Sequence, residues 1–119
     1  MNDFCSVSLS DKLTPWSLIK KRIEGALVGD FVIALFNPQS IERNWQLKSV
    51  VEICLKCRHG DAPVLIARQV GRDNQTKKFF TLSTIPFKEI DMLSIIIIGN
   101  SQTTLVDEIF LTPRGYLQN

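Results

Sequence analysis

Four consecutive isoleucines, Ile95 to Ile98, stand between Ser94 and the pair Gly99-Asn100. The run is too short to cross a membrane, because a spanning helix needs about 20 apolar residues, and β-branched side chains favour strands. A strand that is apolar at every position is typical of a sheet buried on both faces, such as a parallel sheet covered by helices. Ligands of open α/β sheets bind just beyond the carboxyl ends of such strands. The segment therefore indicates both a fold class and a place for a site.

Length and composition indicate one domain of ordinary globular character. The chain has 119 residues, of which 45% are hydrophobic and 22% charged, and such a length suits a single core. The net charge of +2 is too small to indicate nucleic-acid binding, so we expect neither nucleic acid nor membrane as a partner. Met1-Asn2-Asp3 lacks the basic and apolar regions of a secretory signal, so we expect a cytoplasmic protein.

The cysteines and the single histidine offer little chemistry. Cys54 and Cys57 have the spacing of a redox motif, but they end a predicted helix, where the helix dipole opposes a thiolate. We therefore interpret them as buried or half-buried structural cysteines. His59 is the only histidine, so we predict no metal site.

Apolar runs and turn signals divide the chain into alternating strands and helices. Cys5, Val7 and Leu9 alternate with serines and suggest a short strand, while Thr14-Pro15 predicts a helix start that is capped by the Thr14 hydroxyl. The other predicted elements are strands at 31–36, 64–67, 78–82, the isoleucine run and 105–111, a helix at 40–58, and helical turns within 85–90. The short polar turn at 71–75 favours a hairpin between the strands at 64–67 and 78–82. We predict an α/β fold whose mixed, mostly parallel sheet carries helices on its faces.

Catalytic motifs are missing, and three loops after predicted strands remain as candidate site elements. Nucleophile elbow and phosphate-loop patterns are both absent from the sequence, so the catalytic residues are unknown. If the strands are parallel neighbours, the loops meet at one edge of the sheet, where main-chain groups could bind a ligand. The pattern alone equally allows these residues to provide only turn geometry. The three loops are Phe36-Asn37-Pro38, Gln69-Val70-Gly71-Arg72 and Gly99-Asn100-Ser101.

Several distinctive blocks follow one another along nearly the whole chain. They are Asp3-Phe4-Cys5-Ser6-Val7-Ser8-Leu9-Ser10-Asp11, Leu13-Thr14-Pro15-Trp16, Asp30 to Pro38, Ser40, Trp45-Gln46-Leu47, Asp61-Ala62-Pro63-Val64, Gly71-Arg72, Asp91-Met92-Leu93, Ile98 to Thr103 and Thr112 to Tyr116. In this order they resemble the precorrin-3B C(17)-methyltransferases of the tetrapyrrole methylase family. The resemblance implies an enzyme of cobalamin biosynthesis that uses S-adenosyl-L-methionine to methylate ring carbon 17 and contract the macrocycle. Family members have two α/β domains around a cofactor cleft, and related enzymes form homodimers, so we expect a homodimer.

The resemblance covers only the C-terminal half of the family. We interpret residues 13–119 as the C-terminal tetrapyrrole methylase domain and residues 1–12 as the remnant of a missing N-terminal domain and its linker. We expect residues 1–12 to be mobile or to pair with another copy of the chain. We expect the isolated chain to fold without binding the cofactor well or turning over. The alternative from another class is a non-catalytic binding or dimerisation module derived from the family.

The family's cofactor contacts map onto the three loops already identified. The resemblance assigns S-adenosylmethionine binding to Phe36, Asn37, Gln69, Val70, Gly99 and Asn100. Precorrins carry many carboxylates, and arginine binds carboxylates bidentately, so Arg68, Arg72 and Arg114 are substrate-binding candidates. Surface solubility or ion pairs that close the domain are equally compatible roles for these arginines. The sulfonium methyl is already activated, so the protein mainly aligns donor and acceptor.

Overall fold

The fold is a five-stranded sheet with two helices, seen in a computed structural model that describes residues 4–40, 43–68, 73, 75–106 and 109–111. Two short 3₁₀ turns, Leu82–Thr84 and Phe87–Glu89, follow the fourth strand. The helices and strands, in chain order, are β1 (Phe4–Ser8), α1 (Trp16–Val28), β2 (Val32–Phe36), α2 (Gln46–Cys57), β3 (Pro63–Arg68), β4 (Thr76–Thr81), β5 (Ser94–Ile98), β6 (Thr104–Val106) and β7 (Ile109–Leu111).

The sheet is mixed, as predicted, but most of its pairings are antiparallel. Its order is β1-β2-β5-β3-β4, and only β1 and β2 run parallel. β5 runs antiparallel to both β2 and β3, and β3 and β4 form the predicted hairpin. The α/β class is confirmed, whereas the expectation of a mostly parallel sheet is wrong.

The connection between β4 and β5 explains the direction of β5. β4 ends beside the start of β3, where Thr81 pairs with Pro63. The chain then passes through the two 3₁₀ turns and buries Leu82, Ile85 and Ile90 in the core. It reaches the other end of β3, where Ser94 pairs with Arg68. β5 therefore starts at the edge where β2 and β3 end, and it runs back.

The isoleucine run lies at the centre of the sheet, which accounts for its composition. Ile96 and Ile98 are fully buried against the two helices, and Ile95 and Ile97, on the other face, are half-buried. The helices place their apolar stripes on the first face, with Ile19, Ile23 and Ala26 from α1 and Leu47, Val50, Val51 and Cys54 from α2. An apolar central strand needs no parallel neighbours.

The helix starts differ from the predicted ones. α1 begins at Trp16 with Pro15 as the N-cap, and no side chain caps it, so the predicted cap by Thr14 is wrong. α2 begins at Gln46, well after the predicted start at residue 40. Ser40 and Arg43 instead exchange backbone hydrogen bonds of 2.9 and 3.2 Å. None of the described helices combines the length and apolar character that crossing a bilayer requires.

The N-terminal strand belongs to the sheet. Phe4 to Ser8 pair in parallel register with Val32 to Phe36, and Val7 and Leu9 are buried in the core. The expectation that residues 1–12 are mobile or pair with another copy is therefore wrong for residues 4–12. Residues 1–3 lie outside the described residues.

The interpretation of the two cysteines as buried or half-buried structural residues is confirmed for Cys54 and wrong for Cys57. Cys54 is buried in the core, and burial raises the pKa of its thiol to about 11. Cys57 is exposed, and both are free thiols. A thiol held protonated at neutral pH is a poor nucleophile, so Cys54 is not the activated cysteine of a redox motif.

Candidate functional site

Two of the three predicted loops lie at opposite edges of the sheet, and the third, residues 69–72, lies outside the described residues. Leu35 pairs with Ile96 and Ile33 with Ile98, so Asn37 lies beside the start of β5 and Asn100 beside the start of β2. A five-residue strand spans about 16 Å, which separates the two edges. The predicted convergence of the loops is wrong, because Gly99 and Asn100 do not share an edge with Phe36 and Asn37.

The edge that holds Asn37 is called the cleft rim here. It consists of the carboxyl ends of β1, β2 and β3 and the start of β5. Arg68 lies on this rim as the last residue of β3. Gln69, Val70 and Arg72, from the middle loop, and Arg114 lie outside the described residues.

An open cleft of about 810 Å³ lies along the cleft rim. This volume is within the range of ligand pockets. Three large apolar side chains on its walls are 45–49% exposed, namely Trp45, Met92 and Leu93. The cleft thus offers apolar surface together with polar groups. It is lined by Ser10, Asp11, Lys12, Asn37, Ser40, Arg43, Trp45, Gln46, Asp91, Met92 and Leu93.

Asn37 turns the chain sharply at the end of β2. Its φ of 50° is in the left-handed region, which Asn tolerates better than most residues. The Asn37 amide donates to the Ser8 hydroxyl at 3.0 Å, and the Leu9 N–H donates to the Phe36 carbonyl at 3.0 Å. These bonds join the loops after β1 and β2 and fix one wall of the cleft.

Arg43 joins three segments of the cleft rim. Its guanidinium donates to the Leu9 carbonyl at 2.8 Å and to the Asn37 carbonyl at 2.6 Å. The same group lies 3.5 Å from the Met92 sulfur. Planar guanidinium groups suit such forked contacts, so one half-buried side chain holds the loops after β1 and β2 against the segment before β5.

Arg68 is already paired within the chain. Its guanidinium donates to both carboxylate oxygens of Asp91, with the shortest bond at 2.7 Å. This hydrogen bond is the main cause that lowers the pKa of Asp91, and the Leu93 N–H also donates to this carboxylate at 2.9 Å. The arrangement corresponds to the alternative role of an ion pair within the domain, and it holds the start of β5 on the cleft rim.

Replacing Asp91 with Asn is expected to flatten the acid side of the pH–stability curve. A carboxylate with a lowered folded pKa stabilises the fold above its ordinary pKa of 3.8, and this contribution is lost as the pH falls through the folded value. Because both partners are partly exposed, we expect a loss of only about 0.5–1 kcal/mol at pH 7. Urea unfolding at several values between about pH 2 and pH 7 measures the change.

The exposed Asp61 provides the control for this prediction. Asp61 lies 3.5 Å from His59, and both side chains are more than 80% exposed, so Asp61→Asn should leave the curve nearly unchanged. The prediction would be contradicted if the free energy of unfolding of Asp91→Asn fell at low pH as steeply as that of the wild type. Asp30 also has a lowered pKa, first because the Ser101 hydroxyl donates to it, so part of the acid sensitivity remains in either variant.

The inner wall of the cleft is formed by the segment after β1 and the start of α2. The Gln46 amide donates to the Asp11 carboxylate at 2.7 Å. The rings of Trp16 and Trp45 pack edge to face, with centroids 5.0 Å apart, which is a favourable aromatic geometry. These two contacts join the segment that precedes α1, and the first residue of α1, to the N-terminus of α2.

The opposite rim is a polar cluster that closes the far end of the sheet. Asn100 donates to the Asp30 carbonyl at 2.9 Å, and the Ser101 N–H and hydroxyl both donate to the Asp30 carboxylate. Arg58 donates to the carbonyls of Gly99 and Phe31. All of these side chains are engaged within the chain, so the cluster is explained by its role in holding the ends of β2 and β5 together.

Sequence reasoning missed the cleft residues that precede β5 and α2. Met92 and Leu93 lie on the cleft rim because β5 begins there. The signal that could have found them is the length of the 82–93 connection, which is long enough to return across the sheet. Arg43 carried no such signal, since a lone arginine in a predicted helix resembles any surface residue.

Comparisons with known proteins agree on one group of enzymes. The chain is 44% identical over 116 residues to a cobalt-factor III methyltransferase of Priestia megaterium, covering 98% of this chain and 22% of that protein. It is 40% identical to a probable cobalt-factor III C(17)-methyltransferase of Salmonella typhimurium, covering 98% and 48%. It is 36% identical to a precorrin-3B C(17)-methyltransferase of a Sinorhizobium species, covering 97% and 47%. No family model matches the chain.

A solved structure supports the same relationship. The methyltransferase CobJ superposes with a TM-score of 0.87 at 33% identity, over 94% of this chain and 47% of that protein. A cobalt precorrin-4 methyltransferase, at 16% identity and a TM-score of 0.58, shares the fold. The chain spans about half the length, or less, of the curated relatives it matches.

Proposed function

We propose, from the premise that this chain is homologous to the C-terminal region of the cobalt-factor III and precorrin-3B C(17)-methyltransferases, that it supplies one half of such an enzyme. The complete enzyme would transfer a methyl group from S-adenosylmethionine to ring carbon 17 of a precorrin-type tetrapyrrole, with ring contraction. The observation that carries this proposal is the open cleft of about 810 Å³ on the cleft rim. The cleft is large enough for a ligand, and this chain forms one side of it.

The cleft suits S-adenosylmethionine in the chemistry of its walls. An adenine ring and a thioether-like chain need apolar surface, which Trp45, Met92 and Leu93 offer. The polar groups of the ligand need hydrogen-bonding partners, and the main chain around Asn37 lies on the same cleft. When bound, the cofactor supplies an activated sulfonium methyl group. The residues of this chain bind and orient the ligand and exclude water from one side.

The cofactor-binding residues that we propose differ from the sequence prediction at both edges of the sheet. Phe36 stays in it as the last residue of β2 on the cleft rim, Asn37 stays because it lines the cleft, and Gln69 and Val70 stay because they directly follow Arg68. Met92 and Leu93 join the set. Gly99 and Asn100 leave it, since they lie on the opposite rim.

The longer relatives indicate what completes the site. Half of a cleft that lies between two domains provides about half of the contacts, and each tenfold loss of affinity corresponds to about 1.4 kcal/mol. We therefore propose that the N-terminal half of the enzyme covers the cleft and joins this domain ahead of β1, which belongs to the sheet. We keep the homodimer as part of this proposal.

Complementation tests the proposed function. The chain is mixed with the separately produced N-terminal half of the Salmonella relative, and transfer of labelled methyl from S-adenosylmethionine to a cobalt-factor III or precorrin-3B substrate is measured. We expect neither half alone to be active and the mixture to be active. Calorimetry on the chain alone should show binding of S-adenosylmethionine weaker than micromolar.

Two outcomes would contradict the proposal. Micromolar binding by the chain alone would show that the second half is not needed to form the cofactor site. A stable complex of the two halves without methyl transfer would favour the alternative, a non-catalytic module derived from the family. As a control, the N-terminal half is assayed with an unrelated α/β domain of similar size in place of this chain.

A further inference from the structure

A second hollow in the surface shares Trp45 with the cleft. This side hollow has a volume of about 400 Å³, and its lining includes Gln39, Trp45, Lys48, Phe87 and Lys88. Trp45 also lines the cleft, and it is 48% exposed. A flat ligand that packs on Trp45 can therefore extend from the cleft into the side hollow.

Contacts within the chain hold the walls of the side hollow in place. The Trp45 ring packs edge to face against Trp16, with centroids 5.0 Å apart. The Gln39 amide donates to the carbonyls of Phe87 and Ile90 at 2.6 and 2.9 Å, which fixes the 3₁₀ turn that carries Phe87. Because these walls are ordered before binding, a ligand that enters the hollow has little left to order.

The side hollow carries positive charge without a counter-ion. Lys48 follows Trp45 by three residues at the start of α2, a spacing that puts both side chains on one side of the helix. The Lys48 Nζ atom lies 5.9 Å from the centre of the Phe87 ring, and the exposed Lys88 comes next in the chain. Among the described residues, no acid forms an ion pair with either ammonium group, and the neighbouring Glu89 pairs with a lysine of β4 instead.

Two ammonium groups beside an exposed indole suit a flat ligand that carries carboxylates. Aromatic rings pack on an indole, and lysine attracts a carboxylate as a compact point charge. Two arginines of the cleft rim are already engaged within the chain, since Arg68 pairs with Asp91 and Arg43 donates to two backbone carbonyls. The side hollow therefore supplies charge for such a ligand that these arginines do not.

We propose that Trp45, Lys48 and Lys88 form a subsite for the carboxylate-bearing edge of a flat macrocycle. The proposal rests on the proposed function, which brings a precorrin-type tetrapyrrole to the cleft. The macrocycle packs on Trp45 with its reacting edge in the cleft, and carboxylates of another edge meet the two ammonium groups. Met92 and Leu93 stay with S-adenosylmethionine, because they line the cleft and not the side hollow.

The experiment titrates the full 119-residue chain with uroporphyrin III, a stable flat macrocycle with a carboxylate-rich rim. Quenching of tryptophan fluorescence and the shift of the Soret band report binding. We expect sub-millimolar binding that weakens as salt is raised, because exposed charges are screened. Coproporphyrin III, which has fewer carboxylates, should bind about threefold more weakly.

S-adenosylmethionine is the second source of a carboxylate, so it is tested as a competitor. If the lysines bind the macrocycle, S-adenosylmethionine at the same concentration as uroporphyrin III should leave the Soret shift unchanged. Displacement of uroporphyrin III under these conditions would assign the two lysines to the cofactor carboxylate and would overturn the proposal.

Charge-removing variants test the two ammonium groups. Lys48→Gln and Lys88→Gln should each weaken uroporphyrin III binding about threefold, and the double variant about tenfold. Lys48→Arg keeps the charge and should bind within about twofold of the wild type. Lys56→Gln is the matched control, because it removes an exposed lysine about two turns further along α2, and it should leave binding unchanged.

Stability separates binding from folding in these variants. The replaced side chains are exposed, so all four melting temperatures should stay close to that of the wild type, and binding is measured where each variant is folded. The subsite would also be overturned by no binding of uroporphyrin III to the wild type, by equal binding to the wild type and the double variant, or by an equal loss in Lys56→Gln. None of these results depends on methyl transfer, so complementation by the N-terminal half continues to test the proposed function independently.

Discussion

Replacing Arg43 with Met is expected to lower the free energy of unfolding by about 3 kcal/mol and to weaken cofactor binding in the reconstituted enzyme at least tenfold. Arg43 donates to the carbonyls of Leu9 and Asn37 across two loops. Hydrogen bonds from a charged donor contribute about 1.5–3 kcal/mol each. Met keeps much of the apolar stem but donates nothing, so the variant separates these bonds from packing.

Cofactor binding by the Arg43→Met variant is expected to weaken for a geometric reason. The Arg43 guanidinium also lies against the Met92 sulfur, so it holds the segments after β1, after β2 and before β5 at fixed separations. Without it, the walls of the cleft are no longer held in one arrangement, and binding must first order them. Arg43 therefore acts as a positioning residue, and the expected loss is in affinity more than in the chemical step.

Urea unfolding and calorimetry of the reconstituted halves measure the two effects. Arg22→Met, on the exposed face of α1, is the matched control and should stay within about 0.5 kcal/mol of the wild type. Arg43→Lys should recover part of the stability, because an ammonium can reach only some of the same carbonyls. A destabilised Arg43→Met variant whose halves bind the cofactor with unchanged affinity would contradict the positioning role.

The sequence predicted the elements well because each had a local signal. Apolar runs bounded by Gly, Asn and Pro located β2, β3 and β5 to within one or two residues, since burial in a sheet core demands such runs. The polar turn after β3 predicted the hairpin with β4. The resemblance to the precorrin methyltransferases then predicted the fold of the domain, and the similarity to the CobJ structure supports that fold.

The direction of β5 could not be predicted from its own residues. Apolar residues at every position show that a strand is central in its sheet and that other elements cover its faces. A parallel strand and an antiparallel strand meet these conditions equally well. The direction was decided by the 82–93 connection, whose 3₁₀ turns carry the chain back to the cleft rim. The prediction that the loops converge took its geometry from the parallel assumption, and the antiparallel direction of β5 instead puts Gly99 and Asn100 at the edge opposite Asn37.

The late start of α2 has a tertiary cause. Helical periodicity continues back to residue 40, but Ser40 and Arg43 bond to each other and Arg43 bonds to Leu9 and Asn37. These bonds, made to residues distant in sequence, hold the segment away from helical geometry. The segment forms part of the cleft for the same reason, so the error in the helix and the missed site residue have one origin.

Replacing Asn100 with Ala is expected to lower the free energy of unfolding by about 3 kcal/mol, which is a large share of the 5–15 kcal/mol typical of a domain. Asn100 is 7% exposed and uses both ends of its amide. It donates to the Asp30 carbonyl at 2.9 Å, and it accepts from the Gln102 N–H at 2.9 Å and the Thr103 hydroxyl at 3.1 Å. Alanine would remove all three of these hydrogen bonds near the core.

The same variant distinguishes the two rims. If Asn100 only holds the opposite rim together, the fraction of Asn100→Ala that is folded should bind cofactor in the reconstituted enzyme with wild-type affinity. Thermal unfolding, with an expected drop of about 12 °C, and calorimetry at a temperature where the variant is folded measure both quantities. Asn44→Ala, an exposed position before α2, controls for the loss of an amide. The opposite rim lies about 16 Å from the cleft rim, so Asn100 is too far away to contact a cofactor bound at the cleft. A loss of cofactor affinity in Asn100→Ala without a loss of stability would therefore show that the cofactor binds at Asn100, and it would overturn the site assigned to the cleft rim.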